Sequence, residues 1–167
     1  MFSKFIHVIL VTTSLSPVLL TLWFKSFSKS WNFREGILYF ILAIILLFIL
    51  KLIIDLAKIK LEIIPVSIKE ISIADNESVI FIFTYLIPLL GIEIHMVLFL
   101  LVLFFIIVLT INIYHFNPLL SLLGYHQYEI KLVEGSTFIL ITRKMLINSK
   151  QIKNVVQLTN YILLEKE

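Results

Sequence analysis

The sequence predicts a membrane protein, mostly α-helical, in which four transmembrane helices carry a small cytoplasmic β-sheet or barrel module. Of the 167 residues, 60% are hydrophobic and only 15% are charged, against roughly 45–50% and 25% in a soluble domain. The mean hydropathy is +1.04, and one core could not bury this surface, since a domain of about 150 residues still exposes roughly a third of it. Four long apolar runs and several alternating segments complete the pattern.

This composition excludes a soluble enzyme, and it excludes a disordered chain because disorder needs low hydrophobicity and high net charge. The sequence has no cysteine, so disulfides, thiolate nucleophiles and Cys-type zinc sites are excluded together. The net charge of +3 is too small by itself to indicate nucleic-acid binding. We therefore expect no direct contact with nucleic acid.

The first predicted transmembrane hairpin occupies residues 1–57, with helices at about 5–24 and 37–54. Each run approaches the about 20 residues that cross a hydrocarbon core roughly 30 Å thick. The first run has a weakly charged start and no Ala-x-Ala site, and Pro17 follows its small residues. These features favour a retained helix over a cleaved signal peptide.

The second predicted hairpin occupies residues 79–115, with helices at about 76–92 and 96–114. The run at 96–114 is almost entirely Leu, Ile, Phe and Val and is long enough to span. The run at 76–92 is short and ends in Pro88 and Gly91. It crosses only if its ends are included in the helix or if the bilayer thins around it.

The distribution of Lys and Arg sets the orientation of these helices, because cytoplasmic loops carry an excess of both. With the N-terminus inside, eleven of the 14 Lys and Arg residues lie on the cytoplasmic side. The outer side receives three, which are Lys25, Lys29 and Arg34. We therefore expect a multi-pass protein with both termini in the cytoplasm.

Two inner segments show the period-2 alternation that is typical of strands. Residues 58–78 form a cytoplasmic β segment broken at Pro65, and residues 116–167 form a cytoplasmic β module. In the module, Glu134-Gly135 fits a tight turn between two strands of a hairpin. A lone hairpin is marginally stable, so we expect four or five strands from both segments to form one sheet.

Motifs for catalysis, cofactors and metal ions are missing from the sequence. Four glycines cannot supply a Gly-rich phosphate loop, and there is no Gly-x-Ser-x-Gly elbow. The histidines lack the i,i+4 spacing of a helical zinc site and are expected at helix ends; they are His7, His95, His115 and His126. We expect no enzyme activity, no catalytic residues, no cofactor and no metal.

Two ionisable residues lie at the inner end of the second predicted helix. Lys51 and Asp55 are four positions apart, and we predict that they form an intramembrane ion pair on one helix face. Lys51 can also extend its charge to the headgroups, so an anchoring role is favoured over a proton relay. Asn112, in the fourth predicted helix, fits an interhelical hydrogen bond.

The stretch after the fourth predicted helix connects the membrane part to the β module. An Asn-Pro pair stops the helix, an apolar turn follows, and a glycine hinge opens a strand that tyrosines flank. No flexible Gly/Ser linker intervenes, so helix tilt should be transmitted to the sheet. We predict membrane-to-cytoplasm coupling and partner docking at Asn117, Pro118, Gly124, Tyr125 and Tyr128.

The same stretch carries a resemblance. Residues 116–128, Phe-Asn-Pro-Leu-Leu-Ser-Leu-Leu-Gly-Tyr-His-Gln-Tyr, and residues 84–88, Thr-Tyr-Leu-Ile-Pro, resemble the KwaA family, the membrane subunit of the Kiwa anti-phage defence system. The resemblance implies a non-enzymatic sensor and scaffold in the bacterial inner (cytoplasmic) membrane. It also implies assembly with a soluble, DNA-binding, KwaB-like effector subunit in the cytoplasm, and it carries over no catalytic residues.

Two functions remain open on the sequence. The first is an anti-phage sensor and scaffold that recruits and regulates the cytoplasmic effector; the second is a small membrane transporter or channel component. The second would use the polar positions Thr12, Thr13 and Ser16 and the break at Pro88, and selective flux across liposomes would identify it. Bulky helix faces without internal duplication indicate a homo-oligomer of closed symmetry, with a tetramer favoured.

Overall fold

The fold is known from a computed structural model that describes residues 2–30, 33–74, 93–110 and 117–166. The N-terminal half contains α1 (Phe2–Ser14), α2 (Ser16–Ser30), α3 (Phe33–Lys60), β1 (Ile64–Pro65) and β2 (Ile68–Ile73). The C-terminal half contains α4 (Ile94–Thr110), α5 (Pro118–Leu122), β3 (His126–Leu132), β4 (Thr137–Thr142), a short 3₁₀ helix (Ser149–Gln151), β5 (Asn154–Gln157) and β6 (Ile162–Glu165).

The predicted fold class, a mostly α protein with four transmembrane helices, is wrong. In the described part of the chain, two helices are long and apolar enough to cross a membrane, Lys4–Ser26 and Gly36–Lys60. The helix α4 has 17 described residues, which is short of the about 20 that a span needs. The protein is a mixed α/β fold with a six-stranded sheet, so part of its apolar composition fills a protein core.

Several predicted features fall outside the described residues and stay predictions. These are the whole of the short third helix at 76–92, the end of the fourth helix at 111–114, the motif at 84–88, Pro88, Gly91, Asn112 and His115.

The predicted first helix at 5–24 is interrupted at Leu15, where a turn separates α1 from α2. Pro17 is the second residue of α2, where the N–H that proline lacks would have no helical partner. Before the turn, the hydroxyls of Thr12, Thr13 and Ser14 donate back to carbonyls three or four positions earlier. Such bonds often bend helices, so these three hydroxyls favour the bend between α1 and α2.

The predicted second helix, at 37–54, is longer in the structure and extends over α3. The helix α2 folds back on α3 at Gly36, where an added Cβ would lie 3.2 Å from Cδ1 of Trp23 and 3.3 Å from its carbonyl oxygen. Only 17% of the apolar window of α3 is buried in the chain, against 50% for Lys4–Ser26. Most of α3 therefore presents apolar side chains to its surroundings.

The sheet has the strand order β1-β5-β6-β4-β3-β2, and all neighbours are antiparallel except β4 and β6. It takes strands from both inner segments and has six where four or five were expected. The predicted hairpin is confirmed as β3–β4, with Lys131 opposite Thr137. Its turn uses Gly135 at a φ of +92°, a conformation that glycine adopts without steric cost.

The sheet is strongly curled. A flat six-stranded sheet would hold its edge strands about 24 Å apart, because neighbouring strands lie roughly 4.8 Å apart. Yet the edge strand β1 ends at Pro65 and the opposite edge strand begins at Ile68, a stretch that spans at most about 11 Å. The sheet must therefore curve into a half-barrel whose two edges approach each other.

The half-barrel has a buried cluster on each face. On the central strands β4 and β6, Ile139, Ile141, Ile162 and Leu164 belong to the cluster shared with α1, α3 and α5. The residues that alternate with these face the other side of the sheet. There, Leu140 and Leu163 belong to a second cluster with Tyr128, Ile130 and Val155, which we call the inner cluster. Burial on both faces explains why these two strands are continuous apolar runs, as in other doubly covered strands.

Candidate functional site

A buried polar network connects α1 to α5 at Asn117, which is 1% exposed. Its Nδ2 donates hydrogen bonds to the carbonyl of Leu10 at 3.2 Å and to Oγ1 of Thr13 at 2.6 Å. Its Oδ1 accepts from the backbone N–H of Leu119 at 3.0 Å and so caps the N-terminus of α5. One side chain thus holds two helices that are far apart in the sequence.

Gln127 extends this network to β3. Its Nε2 donates to the carbonyl of Asn117 at 3.1 Å, and its Oε1 accepts from the N–H of Asn117 at 3.4 Å. The side chain of Gln127 is fully buried. Buried polar groups that bond one another fix a single arrangement, since breaking one bond leaves its partner unsatisfied. We call Asn117, Thr13 and Gln127, together with the Leu10 carbonyl, the joint.

The predicted helix stop and hinge form the two ends of α5. Pro118 is the first residue of α5 and is buried. Gly124 has a φ of +76°, and no other atom would meet an added Cβ there within 4 Å, so the conformation itself requires glycine. The N–H of Tyr125 donates to the carbonyl of Leu120 at 2.9 Å. The predicted hinge is thus a hydrogen-bonded helix cap.

The two predicted tyrosines lie on opposite faces of the sheet. Tyr125, 2% exposed, belongs to the cluster that contains Ile54 of α3. Tyr128, 5% exposed, lies in the inner cluster, and its hydroxyl accepts from the N–H of Leu146 at 3.0 Å. Both rings are buried and pack inside the module, and the part of these tyrosines in docking a partner stays a prediction.

Two cations that the sequence did not single out contact Tyr125. The Nζ of Lys58 lies 5.4 Å from the ring centroid, and the Cζ of Arg143 lies 4.6 Å from it. Both distances are in the range of cation–π interactions. The end of α3 and the segment after β4 therefore meet at this ring.

Lys51 and Asp55, the predicted pair, are both exposed on α3, each one position after a buried residue, Leu50 and Ile54 respectively. Within the described residues, no ion pair joins the two charged groups at 4.0 Å or less. Their exposure next to apolar positions places them where a headgroup layer could solvate them.

A buried carboxylate in the sheet also escaped the sequence analysis. Glu165 is 5% exposed; Oε2 accepts a hydrogen bond from the hydroxyl of Thr142, and Oε1 pairs with Nζ of Lys144 at 2.5 Å. The backbone N–H of Lys144 also donates to the Thr142 hydroxyl at 3.0 Å. Removing one of these partners would leave the buried charge uncompensated, which is strongly destabilising, so the contacts connect the ends of β4 and β6.

A groove of roughly 450 Å³ lies on the part of the sheet formed by β2, β3 and β4. Its mixed polar lining comes from β2, β3 and β4 and consists of Glu70, Ile71, Ser72, Glu129, Lys131 and Thr137. Across the described ranges, no three His, Asp or Glu side chains are grouped as metal ligands.

The comparisons decide the family. A family model described as anti-phage protein KwaA matches residues 6–164, nearly the whole chain. The chain belongs to the KwaA family. The resemblance drawn from residues 116–128 is thus confirmed, and KwaA membership gives the protein a role in anti-phage defence through the Kiwa system. No curated protein and no solved structure matches the chain significantly.

All parts of the joint lie inside the region that the KwaA model matches. Sequence reasoning found Asn117 because an Asn-Pro pair is a local pattern, but it interpreted the pair as a helix stop, whereas the pair begins α5 in the structure. It missed Gln127 because a polar residue in an alternating strand suggests a solvent-facing side chain. Thr13 was identified only as a polar position in an apolar helix. That polarity was the signal in the sequence that Thr13 has a buried hydrogen-bond partner.

Proposed function

We propose that this KwaA-family chain is a non-enzymatic sensor and scaffold of the bacterial inner membrane that recruits and regulates a cytoplasmic DNA-binding effector. The joint is the observation that carries the proposal, since it ties the first apolar helix to the sheet through buried hydrogen bonds. A connection of this kind resists independent movement of its parts. A change in the tilt of α1 then moves the sheet, and the sheet is the part of the chain that a soluble effector can contact.

The two candidate spans support placement in the bilayer. On α3, exposed apolar side chains follow most of the helix, and they include Leu38, Ile41, Ile45, Phe48, Leu52 and Ile59. An exposed apolar surface this long fits lipid or another helix better than water. Lys58 and Lys60 end the helix, which by the positive-inside rule favours a cytoplasmic location for its C-terminal end and for the sheet. On this proposal, Lys25 and the start of α3 are on the outer side.

Cysteine labelling tests this topology. We expect a cysteine replacing Ser30 to react with a membrane-impermeant maleimide in intact spheroplasts, because it follows the first span. A cysteine replacing Ser149, in the 3₁₀ helix of the sheet domain, should react only after the cells are permeabilised. The chain has no native cysteine, so the background is low. The reverse labelling pattern would contradict a cytoplasmic sheet.

We further propose that the chain forms a closed homo-oligomer, with a tetramer favoured. The support is the unburied apolar surface of α3 and of α4, where Met96, Phe99 and Val102 are exposed. Copies related by cyclic symmetry would cover part of this surface. Native mass spectrometry of the full chain in mild detergents should show one dominant oligomer. A monomer in every such detergent would contradict this proposal.

A further inference from the structure

Two positive charges meet at Tyr125 without an acidic partner. Their distances to the ring centroid, 5.4 Å for Nζ of Lys58 and 4.6 Å for Cζ of Arg143, limit their separation to 10.0 Å. Among the described residues, no Asp or Glu lies within 4.0 Å of either group. Charges within about 10 Å, one Debye length at 0.1 M salt, repel each other, so an anion beside them is favoured.

The side on which Arg143 lies is significant. Its neighbour Lys144 pairs with Glu165, whereas Arg143 stacks on Tyr125 in the cluster that contains the end of α3. The two residues lie in a bend after β4, and their side chains reach different partners. Arg143 therefore adds its charge on the face from which α3 leaves the sheet.

The depth of Lys58 matches a lipid headgroup. The apolar run of α3 ends at Ile54, and the four residues to Lys58 add about 6 Å along a helix. The headgroup layer extends roughly 5–7 Å beyond the hydrocarbon core on each side. On the same helix, Leu52, Leu56 and Ile59 are exposed at i, i+4 and i+7, which forms an apolar strip on the side of α3 that faces away from the sheet.

We propose that Lys58, Arg143 and Tyr125 form a binding site for the phosphate of an anionic phospholipid in the inner leaflet. The forked donors of the Arg143 guanidinium suit a phosphate, and Lys58 adds a point charge. The acyl chains lie along the exposed apolar side chains of α3 that precede Lys58. This inference rests on the membrane placement in the proposed function. The negative end of the α3 dipole would by itself explain a lysine at position 58. It does not explain Arg143, which is not on that helix.

Lipid titration of the full chain tests the site. The protein is purified in a neutral detergent and titrated with phosphatidylglycerol or phosphatidylcholine, and bound lipid is counted by native mass spectrometry. Each cation near an anionic headgroup contributes about fivefold in affinity, so we expect phosphatidylglycerol to bind on the order of tenfold or more tightly. The double variant Lys58→Ala/Arg143→Ala should lose this preference.

A matched variant controls for net charge. Lys69→Ala/Lys153→Ala also removes two cations, from exposed positions on the sheet, and should keep the preference. The charge-conserving Lys58→Arg/Arg143→Lys should keep it as well. If the first double variant fails to fold in a thermal melt, Arg143→Ala alone, at an exposed position, should lower the preference several-fold.

The outcomes separate the possible failures. Equal binding of the two lipids by the wild type, or a preference that survives Lys58→Ala/Arg143→Ala, would overturn the lipid site. Displacement of phosphatidylglycerol by excess inorganic phosphate would also overturn it and would indicate a soluble phosphate ligand. Release of the wild type from native membranes by alkaline carbonate would instead overturn the proposed membrane function.

Discussion

We expect Asn117→Ala to lower the free energy of unfolding by about 2–4 kcal/mol. The substitution removes the cap of α5, which contributes about 1 kcal/mol, and it removes both donors to α1. Buried groups that lose a partner cost about 1–3 kcal/mol each. Thermal unfolding of the full chain in mild detergent, followed by circular dichroism, should show Tm lowered by roughly 5–15 °C.

Two comparison variants isolate the joint. Thr13→Val keeps the volume of the side chain but removes the hydroxyl that accepts from Asn117, and it should cost about 1–2 kcal/mol. Asn160→Ala removes an asparagine from an exposed position between β5 and β6, and it should stay within about 0.5 kcal/mol of the wild type. If Asn117→Ala costs no more than Asn160→Ala, the joint does not hold α1 to the sheet.

The joint illustrates which contacts can be predicted from neighbouring residues in the sequence and which cannot. Asparagine and proline are both favoured at the first positions of a helix, so Asn117 and Pro118 could be singled out from the sequence, although the pair was predicted to stop a helix and not to begin one. The partner of Asn117 on α1 is Thr13, 104 positions away, and no local pattern links the two. Gln127 alternates with Glu129 and Lys131, which suggests the polar side of β3, but it is fully buried there and bonds to Asn117.

The sheet was predictable in its local part. The hairpin of β3 and β4 follows from alternation and from Gly135. The curl does not, because it depends on Ile64 pairing with Val155 and Ile68 with Leu132, which are non-local contacts. Composition could not distinguish apolar residues that face lipid from those that fill the two faces of the sheet. That ambiguity produced the prediction of four spans.

A second connection reinforces the joint. The C-terminal part of α3 contributes Leu50, Ile54 and Ala57 to the cluster on the outer face of the half-barrel. The sheet therefore rests on two apolar helices, α1 through hydrogen bonds and α3 through packing. Bilayer thickness alters helix tilt at a cost of fractions of a kcal/mol per Å of mismatch. Both helices would pass such a change to the same sheet.

A flexible insertion after Gly124 should abolish phage protection, and this is the most direct test of that coupling. Gly124 and Gly135 both have a positive φ, and an added Cβ at either would meet no other atom within 4 Å. Both glycines are exposed, so residues inserted after either one can extend into solvent. Only Gly124 lies between α5 and β3; Gly135 lies in the exposed turn of the hairpin. The two positions form a matched pair for the same Gly/Ser insertion.

After Gly124, the insertion separates Asn117 from Gln127 along the chain and breaks the bond from the Tyr125 N–H to the Leu120 carbonyl. We expect plaque numbers to rise to those of cells without the system, while the chain still fractionates with membranes. After Gly135, the same insertion should leave protection at the wild-type level. Protection that survives the Gly124 insertion at matched expression would contradict rigid coupling, because a freely hinged sheet could then only tether the effector to the membrane.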